Sequence, residues 1–149
     1  MSGEEEPGIT IRLGDWQTQR DAALPIRWEV FVEEQGVPPE LEQDEADASA
    51  VHAVLYRGGD RPLGTGRLSA AGKIGRLAIL KPHRGRGHGD RLLRALMAEA
   101  ARRGLDRITL TAQIQAIPFY ERHGFRAFGP EFDEAGLPHR WMAREVTGA

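Results

Sequence analysis

The sequence contains no cysteine among its 149 residues. This absence excludes a disulfide framework, a cysteine nucleophile, an iron–sulfur cluster and a cysteine-based zinc site. No apolar run approaches the roughly 18 residues that a transmembrane helix needs, and the acidic start, Met1–Pro7, lacks the apolar core of a signal peptide. We therefore expect a cytoplasmic protein. At this length we also expect one domain, whose core needs no covalent cross-link.

Lysine is scarce too, since the chain has two lysines, Lys73 and Lys81, against 18 arginines. Arginine suits the bidentate recognition of phosphate, although the base composition of the genome is the simpler explanation of the overall excess. The formal net charge is −2, whereas general nucleic-acid binding needs a broad basic face. The composition therefore argues against a nucleic-acid partner, and the positions of particular arginines matter more than their number.

The hydrophobic pattern predicts a single α/β domain over residues 9–149, after a disordered acidic tail at residues 1–8. Asp15 caps one helix that ends near Ala23, and Pro25 opens a second helix that ends at Gly36. Residues 37–48 form an acidic loop. Seven strands are predicted at 9–13, 50–57, 62–69, 74–80, 107–111, 125–128 and 139–146, and two further helices at 90–103 and 116–123.

A glycine-rich loop, with the sequence RGRGHGD from Arg84 to Asp90, precedes an amphipathic helix. Unpaired amides and the helix dipole make a helix N-terminus an anion site, and glycine lets a phosphate approach the backbone. The loop is not a Walker A motif, because no Lys-Ser/Thr pair follows it, and Asp90 stands where the dinucleotide fingerprint needs glycine. One copy between regular elements also differs from the long repeats of arginine–glycine RNA-binding segments.

The pattern that fits is Arg/Gln-x-x-Gly-x-Gly, formed by Arg84, Gly87 and Gly89. It resembles the coenzyme A pyrophosphate loop of the GNAT superfamily of N-acetyltransferases. The later sequence FYERHGF, at 119–125, is similar to the Tyr-Glu-x-x-Gly-Phe signature of that family. A further series resembles the ElaA-like branch, and its members are Arg27, Val30, Phe31, Glu34, Gln35, Asp44, Asp47, His52, Gly75, Arg76, Leu77, Gln113, Phe119, Tyr120, Gly136 and His139.

The resemblance implies an α/β (α+β) fold with a mixed, mostly antiparallel sheet of six to seven strands and helices on both faces. It implies acetyl-CoA as the donor and direct transfer of the acetyl group to a primary amine of a small molecule or protein. No metal ion and no membrane partner are expected, and a homodimer is compatible with the resemblance. The predicted coenzyme-binding residues are Leu77, Ala78, Ile79, Arg84, Gly85, Arg86, Gly87, His88, Gly89, Asp90, Gln113 and Tyr120.

The same resemblance implies roles for individual groups. A bulge opens the strand before the loop in this family, and by register Leu77 and Ile79 supply free amides to the coenzyme and the thioester oxygen. Tyr120 is the predicted general acid, because a phenol with a pKa of about 10 stays protonated beside a thiol near 8.5. The base stays open among Glu34, Asp44, Asp47, His52 and His139, and of these Glu34 and His52 are the predicted catalytic residues. The predicted substrate contacts are Phe31, Gln35, Asp44, Asp47 and His139.

Several alternatives stay open at this point. Arg84 could pair with a nearby carboxylate instead of a phosphate, and Asp90 would repel the pyrophosphate if its carboxylate turned inward. The acidic loop could attract a cationic amine or simply be solvated. The protein could also be a coenzyme-binding sensor or assembly module without turnover, or resemble acyl-homoserine-lactone synthases. We expect acceptor specificity in the loops at 36–48 and 129–138.

Overall fold

The computed structural model describes residues 8–146, so residues 1–7 of the predicted tail and the last three residues lie outside it. The strands are β1 (Ile9–Gly14), β2 (Val51–Arg57), β3 (Arg61–Leu68), β4 (Ile74–Ile79), β5 (Arg107–Gln113), β6 (Arg126–Glu134) and β7 (Leu137–Glu145). The α-helices are α1 (Trp16–Arg27), α2 (Pro39–Glu42), α3 (Ala46–Ser49), α4 (His88–Arg102) and α5 (Ile117–Glu121). A π-helix covers Trp28–Glu34, and short 3-10 turns cover Lys81–His83 and Ile114–Ala116. Within residues 8–146, the helices are too short or too polar to cross a lipid bilayer.

The seven strands form two antiparallel sheets rather than one continuous sheet. The first sheet has the order β1-β2-β3-β4, and the second has the order β5-β7-β6. A parallel bridge between Lys73 and Thr109 joins them, and the Thr109 amide donates a hydrogen bond of 3.0 Å to the Gly72 carbonyl. The predicted α/β class, with seven mostly antiparallel strands, is confirmed, and the division of the sheet opens a cleft between β4 and β5.

Strand β2 is buried along nearly its whole length, because a helix covers each face of the first sheet. Successive side chains of a strand point to opposite faces. Val54 accordingly packs with Ala23 of α1, whereas Leu55 lies in the main core with Leu93 of α4. The two helices therefore hold the loop before α4 and the π-helix after α1 on opposite sides of the same sheet.

The first helical region differs from the predicted pair of helices. Asp15 caps α1 as expected, since its Oδ1 accepts a hydrogen bond of 2.9 Å from the Thr18 amide, but the helix continues through Pro25. Proline has a φ value that suits a helix and costs it one amide donor. Burial of Ile26 and Val30 against Ala78 of β4 holds the segment in place. The chain then widens into the π-helix, a rare form that frequently occurs at functional sites.

Two segments predicted as loops contain regular structure. Residues 37–48 include α2 and most of α3, and residues 129–138 belong almost entirely to the β6–β7 hairpin. The hairpin closes at Ala135 and Gly136, which have φ values of +53° and +82°. Glycine and proline at positions 129 and 130 indicated a loop, but a bulge between Phe128 and Phe132 accommodates both within β6. The loops expected to determine acceptor specificity are therefore ordered elements.

Candidate active site

Strand β4 carries a bulge at Arg76 and Leu77, which together stand opposite Gly66 of β3. Arg76 has a φ value of +52°, a left-handed conformation that a G1 bulge usually gives to glycine. Gly66 leaves the space that Leu77 fills, because a Cβ atom at Gly66 would lie 2.9 Å from Leu77 Cδ1. The bulge expected in this strand is confirmed.

The side of β4 away from β3 is an open edge. Within the described part of the chain, β4 pairs along its length with β3 alone. The Leu80 amide donates a hydrogen bond of 3.0 Å to the Leu63 carbonyl on that inner side. Because amides alternate along a strand, the Ile79 amide faces the cleft, and the Ile79 carbonyl accepts a hydrogen bond of 2.9 Å from Arg84 Nε. The strand thus presents the amide and carbonyl of Ile79 to the cleft. The coenzyme-binding role of the Leu77 and Ile79 amides stays a prediction.

The glycine-rich loop directs the first amides of α4 toward the same cleft. Gly85 and Gly87 have φ values of +79° and +81°, a conformation that side chains rarely adopt, which explains glycine at both positions. Gly87 is the N-cap of α4, a helix of 15 residues. The first amides of the helix lack partners within it and carry the positive end of its dipole. This arrangement can hold a phosphate group.

A cavity of about 380 Å³ lies between β4, the loop and α5. Nine of the residues predicted to bind coenzyme line it, namely Leu77, Ile79, Arg84, Gly85, Gly87, His88, Gly89, Asp90 and Tyr120. The other three lie elsewhere: Ala78 packs against Ile26 and Val30, Arg86 is exposed, and Gln113 bonds Gln35. Nine of the twelve predicted residues therefore share one cavity, and their role in binding coenzyme stays a prediction.

Asp90 does not turn its carboxylate toward the amides of the loop. Its Oδ1 atom lies 2.7 Å from His123 Nε2, just beyond α5. Next to it, Gly89 lies against α5, since a Cβ atom at Gly89 would be in ordinary van der Waals contact with Phe119 Cζ at 3.5 Å. The negative charge of Asp90 is thus directed to a histidine, and this contact fixes α5 beside the start of α4.

Tyr120 projects into the cavity from α5. Its ring meets the rings of Phe119 and Phe125 edge-on, with centroids 5.0 and 6.0 Å apart. Burial raises the pKa of Tyr120 to about 12, so the phenol stays protonated at any physiological pH. Such a group can donate a hydrogen bond to an anion that develops beside it, and its raised pKa makes it a weaker acid than a free phenol.

Arg84 joins the loop to the end of the π-helix. Its Nη1 and Nη2 atoms donate hydrogen bonds of 2.6 and 2.7 Å to the two carboxylate oxygens of Glu34. The hydrogen bond from Arg84 lowers the pKa of Glu34, so the carboxylate is ionised and is a weaker proton acceptor than a free one. The carboxylate-pairing alternative for Arg84 is therefore the one that the structure contains, and it brings a predicted base to the rim of the cavity.

A second cross-link lies next to this ion pair. Gln113, at the end of β5, donates a hydrogen bond of 3.0 Å from Nε2 to Gln35 Oε1. His139 of β7 stands beside Gln113 in the second sheet, and its Nε2 atom lies 3.6 Å from Glu134 Oε2. The structure thus brings Gln35, Gln113 and His139 together on the π-helix side of the cleft. Phe31 packs nearby in the same cluster as Val30.

Asp44, Asp47 and His52 have a different environment, and none of these three described residues lines the cavity. Asp44 accepts hydrogen bonds of 2.7 and 2.8 Å from Arg67, and Asp47 accepts bonds of 2.8 and 3.0 Å from Arg27. His52 is 1% exposed, its Nε2 lies 2.9 Å from the Asp47 carbonyl, and burial lowers its pKa. Their predicted roles as base or substrate contact stay predictions, whereas the geometry gives the two carboxylates an anchoring task.

Comparison with known proteins identifies the family of this chain. A family model described as an acetyltransferase (GNAT) domain matches residues 14–146. The chain belongs to the GNAT acetyltransferase family. Over 133 residues this GNAT chain is 41% identical to a Bacillus subtilis protein named as the uncharacterized N-acetyltransferase YjcF, covering 87% of this chain and 94% of the relative.

Two solved structures resemble this GNAT protein over nearly their whole length. An acyl-CoA N-acyltransferase from Pseudomonas aeruginosa aligns with a TM-score of 0.80 and 29% identity, covering 91% of this chain and 99% of the other. Escherichia coli ElaA aligns with a TM-score of 0.82 and 26% identity, covering 92% and 99%. The resemblance to the GNAT superfamily, with ElaA among the neighbours, is confirmed.

The sequence analysis assigned no role to three residues of this GNAT site. Phe119 and His83 line the cavity; Phe119 directly precedes Tyr120 in the signature, and His83 directly precedes the loop. Arg76 was noticed within the ElaA-like series but received no role, because a positive φ value at arginine leaves no mark in the sequence. Adjacency to a recognised motif could have found the first two.

From the lowered pKa of Asp47, we expect the folded protein to lose stability in acid. Burial alone would raise the pKa of Asp47, but the hydrogen bonds and charges of Arg27 and Arg67 outweigh it and hold that pKa at about 2, below the ordinary 3.8. Between pH 4 and pH 2 the unfolded chain therefore binds more protons than the folded one. We expect a contribution of about 2 kcal/mol that is complete above pH 4 and is lost as the pH falls toward 2.

Urea denaturation at pH 5.0 and at pH 2.5 measures this difference. Asp47→Asn should be less stable at pH 5.0 and should lose the part of the pH dependence below pH 4 that Asp47 supplies, whereas Asp44 and Glu34, whose pKa values are also lowered, keep their parts. Asp133→Asn is the matched control, because Asp133 is an exposed aspartate of β6. An Asp47→Asn variant with the pH dependence of the wild type would contradict the assignment.

Proposed function

We propose that this GNAT protein transfers an acetyl group from acetyl-CoA directly to a primary amine. One observation carries the proposal: the open edge of β4, the start of α4 and Tyr120 surround a single cavity. Amide nitrogens can hold a pyrophosphate and a thioester oxygen, and a phenol can protonate a leaving thiolate. Cysteine is absent from the chain, so no acyl-cysteine step is needed.

The residues present fit such a coenzyme. A Cβ atom at Gly85 would meet nothing within 4 Å, so this side of the loop is open for a phosphate to approach the backbone. In the proposal, the amides from Gly85 to Asp90 hold the pyrophosphate, with the N-terminus of α4 adding its dipole. The amides of Leu77 and Ile79 hold the pantetheine arm and polarise the thioester carbonyl. Acetyl-CoA supplies the activated acetyl group when bound.

In the proposal, the acceptor amine binds on the π-helix side of the cleft. Of the predicted bases, Glu34 and His139 lie on that side, near the bridge between Gln35 and Gln113. In the balanced reaction the amine nitrogen bonds to the acetyl carbon, and the carbon–sulfur bond breaks. The amine gives its proton to one of these two bases, and Tyr120 supplies a proton to the sulfur.

An amine-panel assay tests the function. Acetyl-CoA is incubated with the protein and small-molecule or peptide amines, free CoA is detected with a thiol reagent, and products are identified by mass. Acetylated product supports the proposal. CoA binding without product from any amine would instead indicate a binding module, and product only from longer acyl donors would overturn acetyl-CoA as the donor.

A loop variant shows whether this cavity holds the coenzyme. Gly89→Val places methyl groups at the start of α4, and we expect the dissociation constant of CoA, measured by calorimetry, to rise more than tenfold. Ala98→Val is the control, because Ala98 is exposed near the other end of the same helix. Equal CoA affinity in both variants would contradict binding at this loop.

A further inference from the structure

Arg76 combines a strained backbone with an engaged side chain. Its φ value of +52° costs an ordinary residue about 1–2 kcal/mol relative to the right-handed conformation. Glycine would adopt the same bulge without that cost. Strain of this kind persists where the surrounding structure holds it, and it is concentrated at functional sites. A strained arginine at this position therefore indicates that its side chain makes contacts that glycine could not make.

The side chain of Arg76 bonds one short stretch of chain, residues 41–44. Its Nε atom donates a hydrogen bond of 2.9 Å to the Glu42 carbonyl. Its Nη2 atom donates one of 3.1 Å to the Leu41 carbonyl and one of 3.2 Å to Asp44 Oδ2. These groups belong to the acidic segment, which we define as residues 39–49. The residue that forms the bulge in β4 thus also holds the acidic segment.

Two other arginines hold the same segment from different elements. Arg27 of α1 donates to Glu42 Oε2 at 2.6 Å and to Asp47 Oδ1 at 2.8 Å. Arg67 of β3 donates to Asp47 Oδ1 at 2.7 Å. Arg67 pairs with Gly75 next to the bulge, but Arg76 is the one of the three whose own backbone forms the bulge. Its side chain therefore links residues 41–44 directly to the bulge.

We propose that Arg76 is a positioning residue that couples the acidic segment to the bulge in β4. The three hydrogen bonds of its side chain offset the strain of its backbone, and the bulge in turn turns the amides of Leu77 and Ile79 toward the cavity. The position of residues 41–44 and the orientation of the Leu77 and Ile79 amides then depend on each other. The consequence for turnover rests on the proposed acetyl transfer, whereas the coupling itself does not.

Arg76→Gly and Arg76→Ala separate the two halves of this proposal. Glycine keeps the bulge but loses the link, so we expect CoA to bind within about threefold of the wild-type affinity. Alanine loses the link and keeps the backbone strain, so the bulge relaxes and CoA affinity falls about tenfold, as a strain of 1–2 kcal/mol implies. Arg126→Gly, at an exposed position of β6, controls for placing glycine in a strand.

Amide hydrogen exchange with and without CoA measures the coupling without any acceptor. In the wild type we expect CoA to slow exchange within the acidic segment. In Arg76→Gly the segment should exchange faster and no longer respond to CoA, although CoA still binds. A wild-type segment that ignores CoA, or an Arg76→Gly segment that responds like the wild type, overturns the coupling. Equal CoA affinity of the glycine and alanine variants overturns the role of the side chain in holding the bulge.

Kinetics with an amine acceptor test the effect of Arg76 on turnover, separately from the coupling itself. With an active amine, Arg76→Gly should raise KM for the amine or lower kcat by at least about tenfold, while the affinity for CoA is nearly kept. Unchanged amine kinetics would show that the coupling, if present, has no part in turnover. Absence of turnover with every amine, together with normal CoA binding and the expected exchange pattern, would count against the proposed function and leave the coupling supported.

Discussion

Replacing Tyr120 by phenylalanine is expected to lower kcat by about 10²–10³-fold, in the range found for loss of a general acid. The phenyl ring keeps the contacts with Phe119 and Phe125, so the fold and the cavity are retained. The variant lacks the hydroxyl proton, which Tyr120 retains at neutral pH because its pKa is about 12. The dissociation constant of CoA should stay within about twofold. Thiol-release kinetics and calorimetry with CoA measure the two effects.

The other tyrosine of the chain provides the control. Tyr56 is buried on the α1 face of the first sheet, beside Ala23 and Val54, and it does not line the described cavity. Tyr56→Phe should therefore leave kcat unchanged within about twofold. If Tyr120→Phe and Tyr56→Phe turn over at equal rates, Tyr120 is not the acid. If Tyr120→Phe loses CoA binding as well, its role is in shaping the cavity.

Arg27→Ala is expected to lower the free energy of unfolding by about 3–5 kcal/mol, the range for removing one partner of a buried ion pair. Arg27 is 1% exposed, and its partners Glu42 and Asp47 are each 2% exposed. Loss of the guanidinium leaves two carboxylates in the interior without their main counter-charge. Urea denaturation at pH 7 measures the change.

Partner replacement distinguishes the lost charge from the cavity left by a large side chain. Arg27→Met combined with Glu42→Gln and Asp47→Asn removes the charges together and should recover part of the stability, as isosteric replacement of buried ion pairs does elsewhere. Arg126→Ala, on the exposed surface of β6, should change stability by less than about 0.5 kcal/mol. A loss below about 1 kcal/mol for Arg27→Ala would contradict the anchoring task.

The elements that the sequence predicts well are those with a local physical cause. Glycine at positions 85 and 87 is required by positive φ values, and the apolar repeat of α4 follows from burial of residues such as Leu92 and Leu96. Both features can be read within a few residues. The position of the bulge could also be predicted by counting back from Arg84, because the family resemblance gives its distance from the loop.

The acidic segment could not be predicted in the same way. A run of Glu and Asp indicates a solvated loop unless its partners are known, and the partners here are Arg27, Arg67 and Arg76 from three different elements. The pairing of Arg84 with Glu34 likewise joins residues 50 positions apart. Long-range pairs of opposite charge have no local periodicity, so the sequence supplied candidate residues but not their assignment to catalysis or to support.

The joint between the two sheets has a mechanical consequence. Gly72 lies at this joint with a φ value of +90°, and a Cβ atom there would lie 3.0 Å from the Arg107 carbonyl oxygen. The sheets therefore meet closely at one end, while the donor amides lie at the other end of β4, six residues or roughly 20 Å away. Over that lever arm a rotation of about 3° moves the far end by roughly 1 Å, a displacement large enough to change a reaction rate by about 100-fold. For the proposed acetyl transfer, we therefore expect the rate to depend on the angle between the two sheets, which Gly72 helps to set although it lies far from the cavity.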